Sequence, residues 1–241
     1  MEIQLLKHFS KAAYLIFMVA MVAQATNESS MPKKIQLIYQ ATRNGQPFAT
    51  VTENYQVNQG HYKIESITEG QGVFALFGKR MLTSEGTVTD MGLRPDRFQS
   101  TQGDNPQKSL TSIFDWKAKT LSMLNKGKTE VVTLKPATQD LSSFMYQFMY
   151  KPPNTDEVVM EVTTGKKLRE YHYRVIEKDI AIDTNIGSFK TLHIGNTGSD
   201  KNSDEKELWL AKDKNYLPVK LRIQEENGSV IEQILTEMHV E

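Results

Sequence analysis

The sequence predicts a mainly β protein, built as a strongly curved antiparallel sheet or unclosed β-barrel packed on one or two short helices. Three observations carry this prediction: a hydrophobic period of two along most of the chain, turn residues at short intervals, and one segment with helical spacing. Alternate side chains of a strand point to opposite faces, so a period of two marks a sheet with one dry and one wet face. Frequent turns between short strands favour antiparallel neighbours, and the lack of long helical spans argues against a parallel α/β fold.

The first 25 residues follow different rules. Lys7, His8 and Lys11 precede an uncharged run from Ala12 to Ala23, and the segment closes with Ala23-Gln24-Ala25. A basic start, an apolar stretch of about 7 to 15 residues and an A-x-A ending make a signal peptide. The run is shorter than the roughly 20 residues needed to cross a bilayer. Residues 1–25 are therefore expected to be cleaved after Ala25, leaving no stable transmembrane anchor and a periplasmic chain. Residues 26–34 then form an N-terminal linker, and residues 35–241 a single β-rich half-barrel domain.

Within that domain Ile35, Leu37, Tyr39 and Ala41 alternate with more polar neighbours, as do Leu110, Ser112, Phe114 and Trp116, and then Val158, Met160 and Val162. The clearest alternation is Leu217, Val219, Leu221 and Ile223, interleaved with Lys220, Arg222 and Gln224. Turn chemistry separates these runs at Asn44-Gly45, Gly60, Asp90-Met91-Gly92, Lys126-Gly127, Gly165, Gly187, Gly195 to Gly198 and Asn227-Gly228. Asp140 is placed to cap a helix whose Leu141, Phe144, Met145 and Phe148 fall at i, i+3, i+4 and i+7, before Pro152-Pro153 ends it. Tyr146, Met149 and Tyr150 make the helix apolar on most sides, which predicts burial inside the sheet, as a core helix or as a plug over a hydrophobic cavity. The charge-free stretch Gly72-Val73-Phe74-Ala75-Leu76-Phe77-Gly78 is expected to be a buried corner or short helical turn, or else a mouth that meets a lipid, membrane or partner.

Composition narrows the chemistry. The 241 residues carry 29 Lys+Arg against 29 Asp+Glu. A neutral chain lacks the basic surplus from which nucleic-acid binders draw affinity. Without cysteine there is no disulfide framework, thiolate metal site, thiol nucleophile or lipidated cysteine. His61, His172, His193 and His239 show no paired spacing of the kind zinc sites use, and no nucleophile elbow, P-loop or dinucleotide fingerprint occurs. Asp200-Lys201-Asn202-Ser203-Asp204 opens like a calcium loop, yet Glu205 stands where that loop needs glycine and Ala211 where it needs a bidentate Glu. A solvated hairpin is expected there, and Asp115 is expected to be an exposed acid opposite Phe114 and Trp116. No catalytic residue, metal ligand or cofactor is assigned.

A set of pieces in fixed order then points to a family. These are Gly92-Leu93-Arg94-Pro95-Asp96-Arg97-Phe98, Phe114-Asp115-Trp116, Asp140-Leu141, Tyr171-His172-Tyr173-Arg174-Val175, Gly187-Ser188-Phe189-Lys190-Thr191, Trp209-Leu210-Ala211 and Tyr216-Leu217-Pro218-Val219-Lys220. Together they resemble an exported bacterial family catalogued as domain of unknown function 3108, over essentially the whole mature chain. The closing pieces are also distantly similar to periplasmic lipoprotein carriers, whose unclosed barrel is wrapped around helices and has an apolar cavity. The resemblance implies a fold and supplies no catalytic residues.

The expected function is a non-enzymatic periplasmic module that binds a hydrophobic ligand or an envelope partner in its concave β face. The ligand would be a lipid or an acylated molecule, the partner an envelope protein. Candidate contacts are Phe74, Leu76, Phe77, Trp116, Phe144, Met145, Phe148 and Trp209. The alternatives are a structural envelope protein whose core is filled by its own side chains and, third, an envelope hydrolase.

Overall fold

The computed structural model describes residues 31–103, 105–196 and 204–241. The predicted leader and most of the Asp200–Asp204 loop lie outside the described residues. The strands are β1 (Lys34–Arg43), β2 (Gln46–Asn58), β3 (His61–Gly70), β4 (Arg80–Thr89), β5 (Gly92–Gln102), β6 (Leu110–Asp115), β7 (Thr120–Asn125) and β8 (Lys128–Thr133). They continue with β9 (Gln139–Asp140), β10 (Glu157–Thr163), β11 (Leu168–Thr184), β12 (Gly187–Asn196), β13 (Glu205–Ala211), β14 (Leu217–Gln224) and β15 (Val230–Val240). The helix α1 spans Ser143–Tyr150 between β9 and β10.

All 15 strands form one sheet in the order β8-β7-β6-β5-β4-β3-β2-β1-β15-β14-β13-β12-β11-β10-β9. Only the short β9–β10 pair is parallel. Because β1 pairs with β15, the two ends of the domain meet in the middle of the sheet, and its free edges are β8 and β9, which are neighbours in sequence. The sheet is thus a meander split at mid-chain.

Its curvature follows from bulges and from the helix it encloses. Register shifts fall at Ile38/Tyr39, Glu85/Gly86, Val175/Glu177 and Trp209/Leu210, and each adds local bend and twist. At Gly86 a Cβ would lie 2.1 Å from the Arg94 carbonyl oxygen, so the β4–β5 bulge accepts only glycine. Helix α1 touches both β5 and β14, strands with five others between them in the sheet, which requires the sheet to wrap around it.

The start of α1 is built by Asp140. Its carboxylate accepts the backbone N–H groups of Ser142 at 2.8 Å and Ser143 at 2.9 Å, and the Ser84 hydroxyl donates to it at 2.6 Å. Donors that a helix terminus leaves unpaired are thereby satisfied inside the protein. Burial still outweighs these bonds and pushes the Asp140 carboxyl up to about 6. Along the helix Tyr146 stacks on Tyr55 at 5.2 Å, and Phe148 meets Tyr173 edge-on at 6.3 Å. Gln147 accepts the Leu93 N–H at 2.7 Å and donates to the Met91 carbonyl at 2.8 Å, pinning α1 to β5. Each large apolar side chain so buried contributes about 1.5 to 3 kcal/mol.

A second core lies under β5 to β8, formed by Phe98, Phe114, Leu121, Met123 and Leu134. There the two ends of the sheet come together through side chains: Thr163 of β10 approaches Ser112 at 3.5 Å and donates to Met123 Sδ at 3.3 Å. Asp115 is exposed and accepts the Ala118 N–H at 2.7 Å in the β6–β7 turn.

Two expectations change. Residues Gly72–Phe77 do form a short 3-10 turn, but none of them is buried, because the turn projects past the ends of β3 and β4 with no layer above it. Gly195 does not open a turn but lies inside β12, where a Cβ would meet Ile176 Cδ1 at 2.5 Å. The glycine leaves room for a side chain from the bulged part of β11.

Candidate functional site

A cavity of about 120 Å³ lies between α1 and the concave face. One wall comes from Val51 and Glu53 of β2, Ser66 and Thr68 of β3, and Arg80 and Leu82 of β4. The opposite wall is Lys206 of β13, Leu221 and Ile223 of β14, and Gln233 of β15. Leu141 in the turn before α1, with Phe144 and Met145 of its first turn, supplies the floor. Larger depressions of about 490 and 530 Å³ are open surface grooves among Lys34, Lys63, Glu65 and Glu85. The pocket beside α1, itself partly open, differs in joining apolar walls to the buried ionisable groups Glu53 and Lys206.

Glu53 is only 3% exposed. The Tyr146 hydroxyl donates to its carboxyl at 3.0 Å and that of Ser66 at 3.4 Å, yet burial dominates and raises its pKa to about 7. Lys206 is 6% exposed, with Nζ 4.6 Å from the Tyr171 ring centre and 5.7 Å from that of Phe144. Its polar contact is the Tyr171 hydroxyl at 3.5 Å, and among the described residues no carboxylate lies within ion-pair distance. Burial lowers its pKa to about 8; Asp204 acts in the opposite direction, while the charges of Arg169 and Arg80 add to the lowering. Arg80 is an exposed residue, and desolvation lowers its pKa as well.

Beside this cavity stands the apolar turn. Thr68 and Arg80, which both line the cavity, are cross-strand partners at the base of the turn Gly72–Phe77. Leu76 is 89% and Phe77 66% exposed, while Phe74 packs edge-on against Phe48 at 5.6 Å. Gln71 N–H donates to the Phe48 carbonyl at 2.7 Å, and the Gln102 amide donates to the Phe77 carbonyl at 2.8 Å. At Gly70 a Cβ would lie 2.3 Å from the Phe74 carbonyl oxygen, so glycine lets the turn fold back on β3. The result is an exposed apolar lip tethered at both ends.

The predicted contact residues are distributed over several places. Phe144 and Met145 line the cavity, Phe148 is buried deeper along α1, and Phe74, Leu76 and Phe77 form the lip. Trp116 belongs to the second core, stacked on Phe114 at 6.0 Å with its indole N–H donated to the Pro95 carbonyl at 2.7 Å. Trp209, one residue out of phase with Leu208, turns to the other face of the sheet, where it stacks on His193 at 4.1 Å beneath Lys220 at 4.8 Å. The ionisable lining was missed because a charge in an alternating strand is usually read as solvent-facing. A signal was present: Glu53 falls in phase with Val51 and Tyr55, Arg80 with Leu82 and Ser84, and Lys206 with Leu208, all at inward positions.

A family model described as "Protein of unknown function (DUF3108)" matches residues 36–236. The chain belongs to this family. In this DUF3108 member the matched span takes in every strand that lines the cavity, together with α1 and the lip. Among solved structures it is similar to the crystal structure of a beta-barrel-like protein of domain of unknown function DUF1849 from Brucella abortus, with a TM-score of 0.55 and 10% identity. That likeness covers 87% of this chain and 98% of the other, and it concerns the fold. No curated protein matches the DUF3108 chain.

Proposed function

We propose that this protein is a non-enzymatic module of the cell envelope, exported by its leader, that holds an apolar ligand against its concave β face. The observation that carries the reading is the cavity beside Phe144 and Met145, two of whose lining residues, Thr68 and Arg80, stand at the base of the apolar lip Phe74–Phe77. Its volume of about 120 Å³ is close to that of an engineered apolar cavity, about 150 Å³, that binds benzene. One end of an apolar ligand fits inside, and the rest of a longer one lies along the lip.

The test is native mass spectrometry of the protein recovered from the periplasmic fraction. A lipid-sized adduct that disappears on organic extraction and returns on adding fatty acid is the expected result, on a chain beginning at Thr26. Adduct-free protein with no saturable response to apolar ligands favours the second reading, a structural envelope protein. That alternative is supported by the packing of Tyr146 and Phe148, both 0% exposed, which fill much of the space within the sheet.

A further inference from the structure

We infer that the ligand is an anionic amphiphile, a carboxylate or phosphate monoester on an apolar chain, whose head group is held by Lys206 and Arg80 at the cavity wall. This rests on the ligand-binding reading above and assigns the ligand's charge and orientation.

The reasoning begins with an unusual position. A buried ammonium is costly unless a counter-charge accompanies it. Lys206 has two ring faces and one distant hydroxyl as neighbours, and no carboxylate within ion-pair distance among the described residues. Asp204, two residues earlier, attracts it from farther away. Arg80 lines the same cavity from β4 with no ion pair of its own among the described residues, and Arg169, which reaches Glu226 at 3.9 Å, adds a third positive charge to the neighbourhood. Two cations therefore converge on one cavity from opposite walls.

The acid in the cavity does not answer them. Glu53 is engaged by Tyr146 and Ser66, and neither Lys206 nor Arg80 forms an ion pair with it. The lining is thus cationic at Lys206 and Arg80, polar at Glu53, and apolar along Leu141, Phe144 and Met145. An anion beside Lys206 supplies a counter-charge that no carboxylate of the described residues provides at ion-pair distance, in a medium where opposite charges attract far more strongly than in water. An apolar body attached to it covers Phe144 and Met145, and its continuation reaches the lip through Arg80 and Thr68. A neutral lipid leaves the ammonium unpaired, and a cationic one is repelled.

Calorimetric titration of the full exported protein with twelve-carbon probes below their micellar concentrations tests this. Dodecanoate and dodecyl phosphate should each bind at least tenfold more tightly than dodecanol, and dodecyltrimethylammonium should bind no better than dodecanol. Whichever anion is tighter identifies the head-group chemistry. Lys206→Met should weaken both anions at least tenfold and leave dodecanol unchanged. Arg80→Gln, at an exposed position, should weaken them several-fold and serves as the test if Lys206→Met does not fold. Dodecanol binding as tightly as dodecanoate, with both variants unaffected, overturns the charge assignment and leaves the apolar-ligand reading standing. No saturable binding of any probe overturns both.

Discussion

Helix α1 and the turn Gly72–Phe77 are both short, charge-free and rich in Phe, yet one is enclosed and the other stands in solvent. Phe148 is 0% exposed, and Leu76 is among the most exposed large apolar residues described. Composition does not separate them; topology does. The helix follows the free edge strand β9 and runs into the space that β2, β5, β11 and β14 enclose, so each of its faces meets a strand. The turn joins two paired strands beyond their ends, where Phe48 packs against Phe74 and the Gln102 side chain donates to the Phe77 carbonyl, but no layer covers Leu76. An apolar segment is buried when the chain supplies a layer over it, and one left uncovered is available to another molecule.

The sharpest way to break this contrast is to delete a ring on the buried side. Phe148→Ala should destabilise the protein by about 3 to 5 kcal/mol, since the surrounding strands cannot collapse onto the space. Urea unfolding measures it, and a cost below about 1 kcal/mol would mean that α1 sits loosely. The second effect comes from the carboxyl under the helix. Glu53 has a folded pKa near 7 against 4.5 in the open chain, so between those values the folded state holds a proton that the unfolded state has lost. Stability therefore falls as pH rises from about 4.5 to 7, by roughly 3 kcal/mol. Asp140, raised to about 6, contributes a loss of the same sign from its ordinary value upward. Glu53→Gln should flatten the Glu53 part of this profile and stabilise the protein at pH 8, as read from unfolding midpoints across pH. The smallest effect belongs to the lip. Leu76→Ser should change stability by no more than about 0.5 kcal/mol, because the side chain is already in water. It should weaken dodecanoate several-fold if the tail crosses the lip, and titration calorimetry reads that change.

Much of the sheet was legible because its chemistry is local. The alternation of Leu217, Val219 and Leu221 is the inward face of β14, and Asp140 does serve the first N–H groups of α1. The site was less legible because it is assembled from strands far apart in sequence. Glu53, Arg80 and Lys206 meet through the wrapping of the sheet, which no local pattern encodes. The short helical turn at the lip was legible, but the choice between a buried corner and an exposed mouth was not, because whether Leu76 is covered depends on where β3 and β4 end relative to the other strands. Trp209 was named among the contacts of the concave face, although its phase relative to Leu208 places it on the other one.

The free edges at β8 and β9 carry a mechanical consequence. In a closed barrel, strand number and stagger set the diameter, and widening it means breaking a ladder of backbone bonds. Here the seam between the second core and β10 is held by contacts such as Thr163 with Met123 and Ser112, while the strand ladder itself ends at β8 and β9. Girth is therefore decoupled from the ladder: what fixes it is the packing at the seam together with the bonds and stacks that tie α1 to β2, β5 and β11, so a change of girth would cost those contacts and leave every strand pairing intact.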